Sequence, residues 1–477
     1  MSPTLRLCLF AAMLAFSSWL RCETLTPVCA EAGEPHALAI ADAIRQSIED
    51  QPQLIIAAQQ FLESKADRLA STAAFLPSVQ VGLTNERYVP SNSSAPVVVV
   101  GNNVLGGAQT KSSFGSLSLT WNLMNSGRDW AAYRSARAVV RAASAGYDSQ
   151  LQDTLTGLLQ AYADLYEAEV KAENQIRSID GLKAIEARAV ERFQSGHGTT
   201  VAIGQARTAV FEAQQSRNQA CRSLADKSAA LVQTVGLHLG LDQRVATRAW
   251  VPAPEVVDEV APPNQTVESA PAVISSRESV AAAESKLQQA HRSLGPSVSL
   301  SVQRDYLGQD TDSFARANGH LAPYDYRIGL SIQQPIFPLV PEVAQIQHAA
   351  AELRIARAKY EQARLDAERS LRNALSVHRE TEASYASARS ELADAERILG
   401  LTESQYRAGR TDLDNVEHAR LDRDKAQATM DTLKSQNALA LWTLTRATHP
   451  DEFSAMVLRQ LHVELDDQSR LTEASRN

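Results

Sequence analysis

The chain has little of what catalysis or nucleic-acid binding draws on. Aromatic residues make up only 5% of its 477 residues. That share argues against one large globular enzyme and suits Ala-rich helical packing. Basic charge is not in excess: Lys and Arg total 47 against 55 Asp and Glu, a net charge of −8. No surplus of cations is available to neutralise phosphates, so nucleic acid is not expected as a partner. The sequence contains no phosphate loop, dinucleotide fingerprint, His-Glu-x-x-His or Gly-x-Ser-x-Gly motif. The ten histidines are scattered; His348 and His378 read as solvated helix residues. No enzymatic activity, metal or cofactor is expected.

Long apolar runs are also absent, apart from residues 5–20, LRLCLFAAMLAFSSWL. One Arg before a short apolar stretch and polar sequence after it read as a secretory signal over residues 1–30. Val28-Cys29-Ala30 has the small-x-small character of a cleavage site. Cysteine is sparse: Cys8, Cys22 and Cys29 would leave with the signal, so Cys221 would remain as a buried apolar side chain with no intramolecular disulfide. The competing idea, lipidation of Cys22, fits poorly with Leu20-Arg21 before it.

What is present is a duplication. Phe75-Leu-Pro-Ser-Val79 is echoed by Leu294-Gly-Pro-Ser-Val298, with Pro77 and Pro296 standing 219 apart. Leu117-Ser-Leu-Thr-Trp121 is echoed by Leu330-Ser-Ile-Gln-Gln334, and Phe193-Gln-Ser-Gly196 by Tyr406-Arg-Ala-Gly409, both at an offset of 213. Several markers at one spacing indicate internal repeats. The expected organisation is a first repeat over 31–240, a Pro-rich linker over 241–271, a second repeat over 272–447 and a polar, loosely ordered tail over 448–477.

Each repeat carries two patterns. Val79, Val81 and Leu83 alternate with small polar residues, as do Leu117, Leu119, Trp121 and Leu123; in the second copy Val298, Leu300 and Val302 do so, and then Tyr324, Tyr326, Ile328, Leu330 and Ile332. Period two means strands with one apolar and one polar face. The small, uncharged polar side suggests a wetted lumen. Segments 86–113 and 304–323 read as long surface loops. The second pattern is long helix. No proline falls between Pro96 and Pro252 or between Pro341 and Pro450, and both stretches are rich in good helix formers. Helices are expected over 128–194 and 342–407. Some 65 residues at ~1.5 Å each extend about 100 Å, which calls for a coiled-coil-like assembly. Gly196 and Gly409 end them, and Thr199 and Asp412 are plausible N-caps for returning helices to about 239 and 447. Segments 36–75 and 272–294 each supply one further helix.

Four strands of about ten residues are long enough to cross a bilayer when tilted. They are too few to close a barrel, since spanning barrels start at about 8 strands. Open edges cannot sit in lipid, because unpaired backbone groups cost several kcal/mol there. Spanning strands therefore require several chains to share one barrel; two soluble hairpins packed on helices are the alternative reading.

This order of elements, repeated twice, resembles the TolC family of outer membrane factors over roughly residues 35–447. Asp50-Gln-Pro-Gln-Leu54, Phe75-Leu-Pro-Ser78 and Tyr406-Arg-Ala-Gly409 with Asp412 and Ala419 carry the likeness. The resemblance implies an α+β membrane protein. It implies a homotrimer with a shared twelve-stranded transmembrane β-barrel, four strands per chain, and a long periplasmic α-helical coiled-coil tunnel. It implies a passive duct in the outer membrane, docked through a periplasmic adaptor (membrane fusion) protein onto an inner-membrane ABC or RND transporter. Outer membrane lipid would meet Leu117, Leu119, Trp121, Leu300, Tyr326 and Leu330. Gly196, Thr199, Tyr406, Gly409 and Arg410 would form the periplasmic tips. Two family aspartates that ring the closed entrance fall here on Asn415 and His418, with Asp412, Asp414 and Glu417 nearby, so the gate would carry a different charge pattern. An unlipidated N-terminus suits members serving type I secretion, which points to export of a protein toxin; small-molecule efflux is the alternative. A periplasmic coiled-coil scaffold without a barrel is a third reading, although no β-domain interrupts the helical hairpins.

Overall fold

A computed structural model describes residues 36–88, 98–100, 103–105, 110–237, 245–247, 251–254, 263–310, 312–337, 340–461 and 463. The expected signal segment lies outside them. In chain order the elements are β1 (His36–Leu38), α1 (Ile40–Asp50), α2 (Pro52–Thr72), β2 (Ser78–Tyr88), β3 (Val98–Val100), β4 (Asn103–Leu105) and β5 (Thr110–Asn125). Then follow α3 (Arg128–Gln194), α4 (Thr200–Val235), β6 (Val245–Thr247), α5 (Pro263–Ser269) and α6 (Pro271–Arg292). The remainder is β7 (Ser297–Asp310), α7 (Phe314–Gly319), β8 (Ala322–Gln333), α8 (Val340–Arg407), α9 (Leu413–Thr448) and α10 (Phe453–Gln460). The duplication is plain in the lengths: α3 and α8 have 67 and 68 residues, and α4 and α9 have 36 each.

Contacts divide the chain into two compact units: residues 1–55, 150–266 and 369–477 in one, 56–149 and 267–368 in the other. They do not follow the repeats, because α3 and α8 each run through both.

The second unit holds a four-stranded sheet in the order β2-β5-β7-β8. All three pairings are antiparallel, and the β5–β7 pairing joins the hairpin of one repeat to that of the other. β2 and β8 are its edges. In register Val81 stands opposite Leu117, Leu119 opposite Val302, and Leu300 opposite both Trp121 and Leu330. One face is therefore apolar throughout its lower half. The helices of this unit pack through small residues. Ala131, Ala138 and Ala145 of α3 recur every seven residues and are buried, the spacing that keeps one seam facing a partner helix. Ser135 Oγ donates to Ala282 O of α6 at 3.1 Å.

The first unit holds the main core. Leu155, Leu158, Leu159 and Tyr162 of α3 pack with Leu231 and Val235 of α4 and Trp442 of α9. Tyr162 Oη donates to Leu38 O at 3.1 Å, and Trp442 Nε1 to Pro252 O at 2.8 Å.

Several expectations fail in instructive ways. Segment 36–75 is a strand and two helices, with a 3-10 turn at its end, not one helix. Gln51, before Pro52, is forced extended (ψ 114°), and Pro52 opens the next helix, where its missing N–H costs nothing. The strands run well into the expected loops, β7 reaching Asp310 and β5 starting at Thr110. Described parts of 241–271 pack firmly: β6 pairs in parallel with β1, and Val245 and Val251 are fully buried. The tail begins as a helix whose Phe453 and Val457 are buried, with Phe453 edge-on to Trp442 at 6.2 Å. Cys221 is buried, but it is disulfide-bonded rather than free as expected.

Trp442 ties the linker and the tail helix to one core. Trp442→Ala is expected to cost about 3–5 kcal/mol, and Trp442→Phe, which keeps most of the packing, about 1–2 kcal/mol. Thermal denaturation of the purified protein checks this; equal melting temperatures for both variants and the parent would contradict it.

Candidate functional site

The sequence-nominated residues gather at two helical turns in the first unit and on one face of the sheet in the second. Both turns are built alike. After α3, His197 N donates to Arg192 O at 2.9 Å and Gly196 N to Phe193 O at 3.0 Å; after α8, Arg410 N donates to Gln405 O and Gly409 N to Tyr406 O, both at 2.9 Å. These are Schellman closures, which satisfy the last carbonyls of a helix when the next residue is left-handed. Gly196 (φ 78°) and Gly409 (φ 70°) take that conformation.

The two returning helices start differently. Thr199 Oγ1 accepts from Ala202 N at 3.2 Å, an N-cap as expected. Asp412 sits at the N-cap position of α9 with extended backbone, but its carboxylate caps nothing. It pairs with Arg192 instead (3.4 Å). Arg192 also meets Asp414 at 2.8 Å, and Arg188, one turn earlier on α3, meets Asp414 at 3.5 Å and Glu417 at 3.7 Å. Glu417 is shared with Arg420 at 3.5 Å, which in turn reaches Glu403 of α8 at 3.8 Å. The side chains of Arg188, Asp414 and Glu417 are 17%, 22% and 15% exposed, so this network is partly shielded, whereas Asp412 at 72% lies at its wet rim. The structure thus clamps one helical hairpin to the other at their turns.

Tyr406, Arg410, Asn415 and His418 are exposed at the same end. Asn415 Nδ2 donates to Thr411 Oγ1 at 2.9 Å, a local bond that holds the turn. None of these four enters the clamp. Arg188 and Arg192 were not singled out from sequence. Their i, i+4 spacing just before Gly196 was the available signal, since it puts both guanidinia on one helix face.

On the sheet, Leu117, Trp121, Tyr326 and Leu330 are 43%, 39%, 60% and 63% exposed, and Leu119 and Leu300 are half-buried. Val81, Ile328 and Ile332 on the same face are 81%, 63% and 69% exposed. Among the described residues, no helix of the second unit covers these side chains. A contiguous apolar surface of this extent marks a contact with lipid or protein.

A separate concavity of about 220 Å³ in the first unit is acidic, with Glu169, Glu173, Asp424 and Asp431 on its walls. Burial, and then Asp431 and the two glutamates, push the Tyr166 phenol there above its usual range. Among the described residues no cluster has the composition to hold a metal, and no helix is long and apolar enough to cross a membrane, which says nothing of a β-barrel.

The caps give a direct contrast. Thr199→Ala is expected to lose about 1 kcal/mol through the missing N-cap bond, and Gly409→Ala about 1–2 kcal/mol through the left-handed backbone. Asp412→Ala is expected to show no capping loss. Melting temperatures of the three variants check this; a loss at Asp412 as large as at Thr199 would contradict the cap assignment.

Comparison with known proteins agrees with this architecture. The family described as outer membrane efflux protein matches residues 43–237 and 263–448, well over half of the chain. The curated relative Protein CyaE of Bordetella pertussis is 25% identical over 295 residues, and the match spans about 60% of this chain and 60% of that relative's length. The CmeC outer membrane channel of Campylobacter jejuni superposes with a TM-score of 0.72, covering 90% of each chain at 17% identity. The open-state MtrE outer membrane channel of Neisseria gonorrhoeae gives 0.64 over 86% of this chain and 88% of its own, at 16% identity. With the TolC-type fold and its repeats in place, the chain belongs to the outer membrane efflux protein family, whose members are ducts and not enzymes.

Proposed function

We propose that the protein is the outer-membrane duct of a tripartite export system, assembled as a homotrimer. One observation carries the reading: a four-stranded sheet with two edges and an uncovered apolar face. In water that face is a liability; in lipid the edges are, because nothing there replaces their hydrogen bonds. Three copies joined edge to edge resolve both, giving twelve strands with the apolar face on lipid and the Ser-rich face on a lumen. Leu117, Leu119, Trp121, Leu300, Tyr326 and Leu330 then meet lipid, and the long helices continue as a periplasmic tunnel. A scaffold without a barrel leaves this face exposed to water.

The clamped turns form the periplasmic gate. Partly exposed ion pairs are worth roughly 0.2–1 kcal/mol each. A few of them hold a resting state closed, yet the free energy of docking an adaptor at micromolar affinity, about 8 kcal/mol, is enough to undo them. Asp412 and Asp414 belong to this gate through Arg192 and Arg188. The cargo is a secreted protein, handed on by an inner-membrane ABC transporter and its adaptor, as in type I secretion. The match to Protein CyaE supports that choice over small-molecule efflux.

Two measurements test the proposal. Arg188→Ala with Arg192→Ala is expected to raise single-channel conductance in planar bilayers several-fold; unchanged conductance would remove the clamp from the gate. A deletion strain is expected to lose one secreted protein while antibiotic susceptibility stays unchanged, and raised susceptibility with intact secretion would instead favour an RND-coupled drug pump.

A further inference from the structure

The polar face of the sheet is not uniform. Nearest the helices its rows are neutral: Ser297 stands opposite Gln333, Ser299 opposite Ser331, and Ser301 opposite Gly329. Charge begins only with the next two rows, where Gln303 faces Arg327 and Asp305 faces Asp325. The four side chains are linked. Gln303 Nε2 donates to Asp305 Oδ1 at 2.8 Å. Arg327 bonds Asp305 through Nη2 and lies 3.2 Å from Asp325 Oδ2 through Nε. Glu86 of β2 lies on the same face, four residues beyond Gly82, whose β5 partner Ser116 also pairs with Asp305.

A cluster that served only to fix the β7–β8 register would need one carboxylate for Arg327. Here two carboxylates are placed directly opposite each other, an arrangement that costs stability in a sheet. One cation against two anions leaves a net negative charge, and Glu86 adds to it. Arg327 and Asp325 remain 62% and 44% exposed, so they are presented to whatever fills the space beside this face.

We propose that Asp305, Asp325 and Arg327 form a charge collar near the outer end of the barrel that favours cationic solutes and cationic stretches of cargo over anions. The inference rests on the trimeric-duct reading, in which this face lines the lumen and the collar occurs three times around it. Twelve strands about 4.8 Å apart and tilted by about 40° enclose a backbone radius of about 12 Å. The Debye length is about 10 Å at 0.1 M salt and about 3 Å at 1 M. The collar's field therefore reaches the axis in dilute salt and is confined to the wall in concentrated salt.

The test is the reversal potential of the purified full-length protein in planar bilayers under a KCl gradient. The Arg188→Ala, Arg192→Ala background is used so that the gate does not dominate the resistance. The expected result is K⁺ preference at 0.1 M that falls in Asp325→Asn and in Asp305→Asn and rises in Arg327→Gln, with Arg327→Lys unchanged and all differences absent at 1 M. Opposite shifts from two partners of one ion pair are what a purely structural pair cannot give. Should Arg327→Gln fail to insert, Asp325→Asn leaves the Arg327–Asp305 pair in place and decides the matter alone. Channels whose selectivity is the same in every variant, or shifts of equal sign, overturn the collar; a protein that forms no channels at all overturns the duct reading instead.

Discussion

The structure turns on backbone hydrogen bonds that one chain cannot make. A sheet of four strands must have two edges, and among the described residues its lower apolar face is covered by no element of its own unit. Each unpaired N–H or C=O in hydrocarbon costs several kcal/mol, so the edges alone outweigh any single packing interaction in the molecule. Other features follow from that demand. The β5–β7 pairing fuses the two repeats into one sheet segment, which in the proposed trimer gives each chain a contiguous third of the barrel rather than two separate hairpins. Ala131, Ala138 and Ala145, buried at seven-residue spacing, give a helix seam of small side chains.

The two units solve different physical problems. The first has a conventional core of Leu, Val, Tyr162 and Trp442, onto which the N-terminal strand and pieces of the linker are pinned by hydrogen bonds from Tyr162 and Trp442. Among its described residues the second has little large-residue core, and many of its large apolar side chains are exposed. At the turns the chemistry changes again, to ion pairs that are individually weak and so suited to being broken and remade.

Much of this was legible in the sequence. The long helices announced themselves by the absence of proline, and α3 has the bounds expected of it because Gly127 and Gly196 punctuate it. The strands showed wherever alternation was strict, at 117–123 and 298–302. They were cut short where alternation failed: Arg304 enters the apolar face and Leu307 the polar one, so charge and glycine made strand look like loop, and Asp305 lay hidden there, although Arg327 stood within the alternating run 324–332. The tip residues were found through Gly196 and Gly409, but the arginines that hold Asp412 and Asp414 were not, because their i, i+4 spacing is shared by many charged pairs on such helices. Proline count misled in the linker, where Val245 and Val251 are core residues, and overall polarity misled in the tail, where one turn-spaced set around Phe453 is enough to dock a helix.

The central claim is that β2 of one copy pairs with β8 of the next. The most direct measurement is disulfide crosslinking in isolated outer membranes, with one cysteine fixed in β8 and a series placed residue by residue along β2. The account predicts that one register position yields covalent trimer on non-reducing gels, with the yield falling off on both sides of it. Only monomer at every position would contradict it.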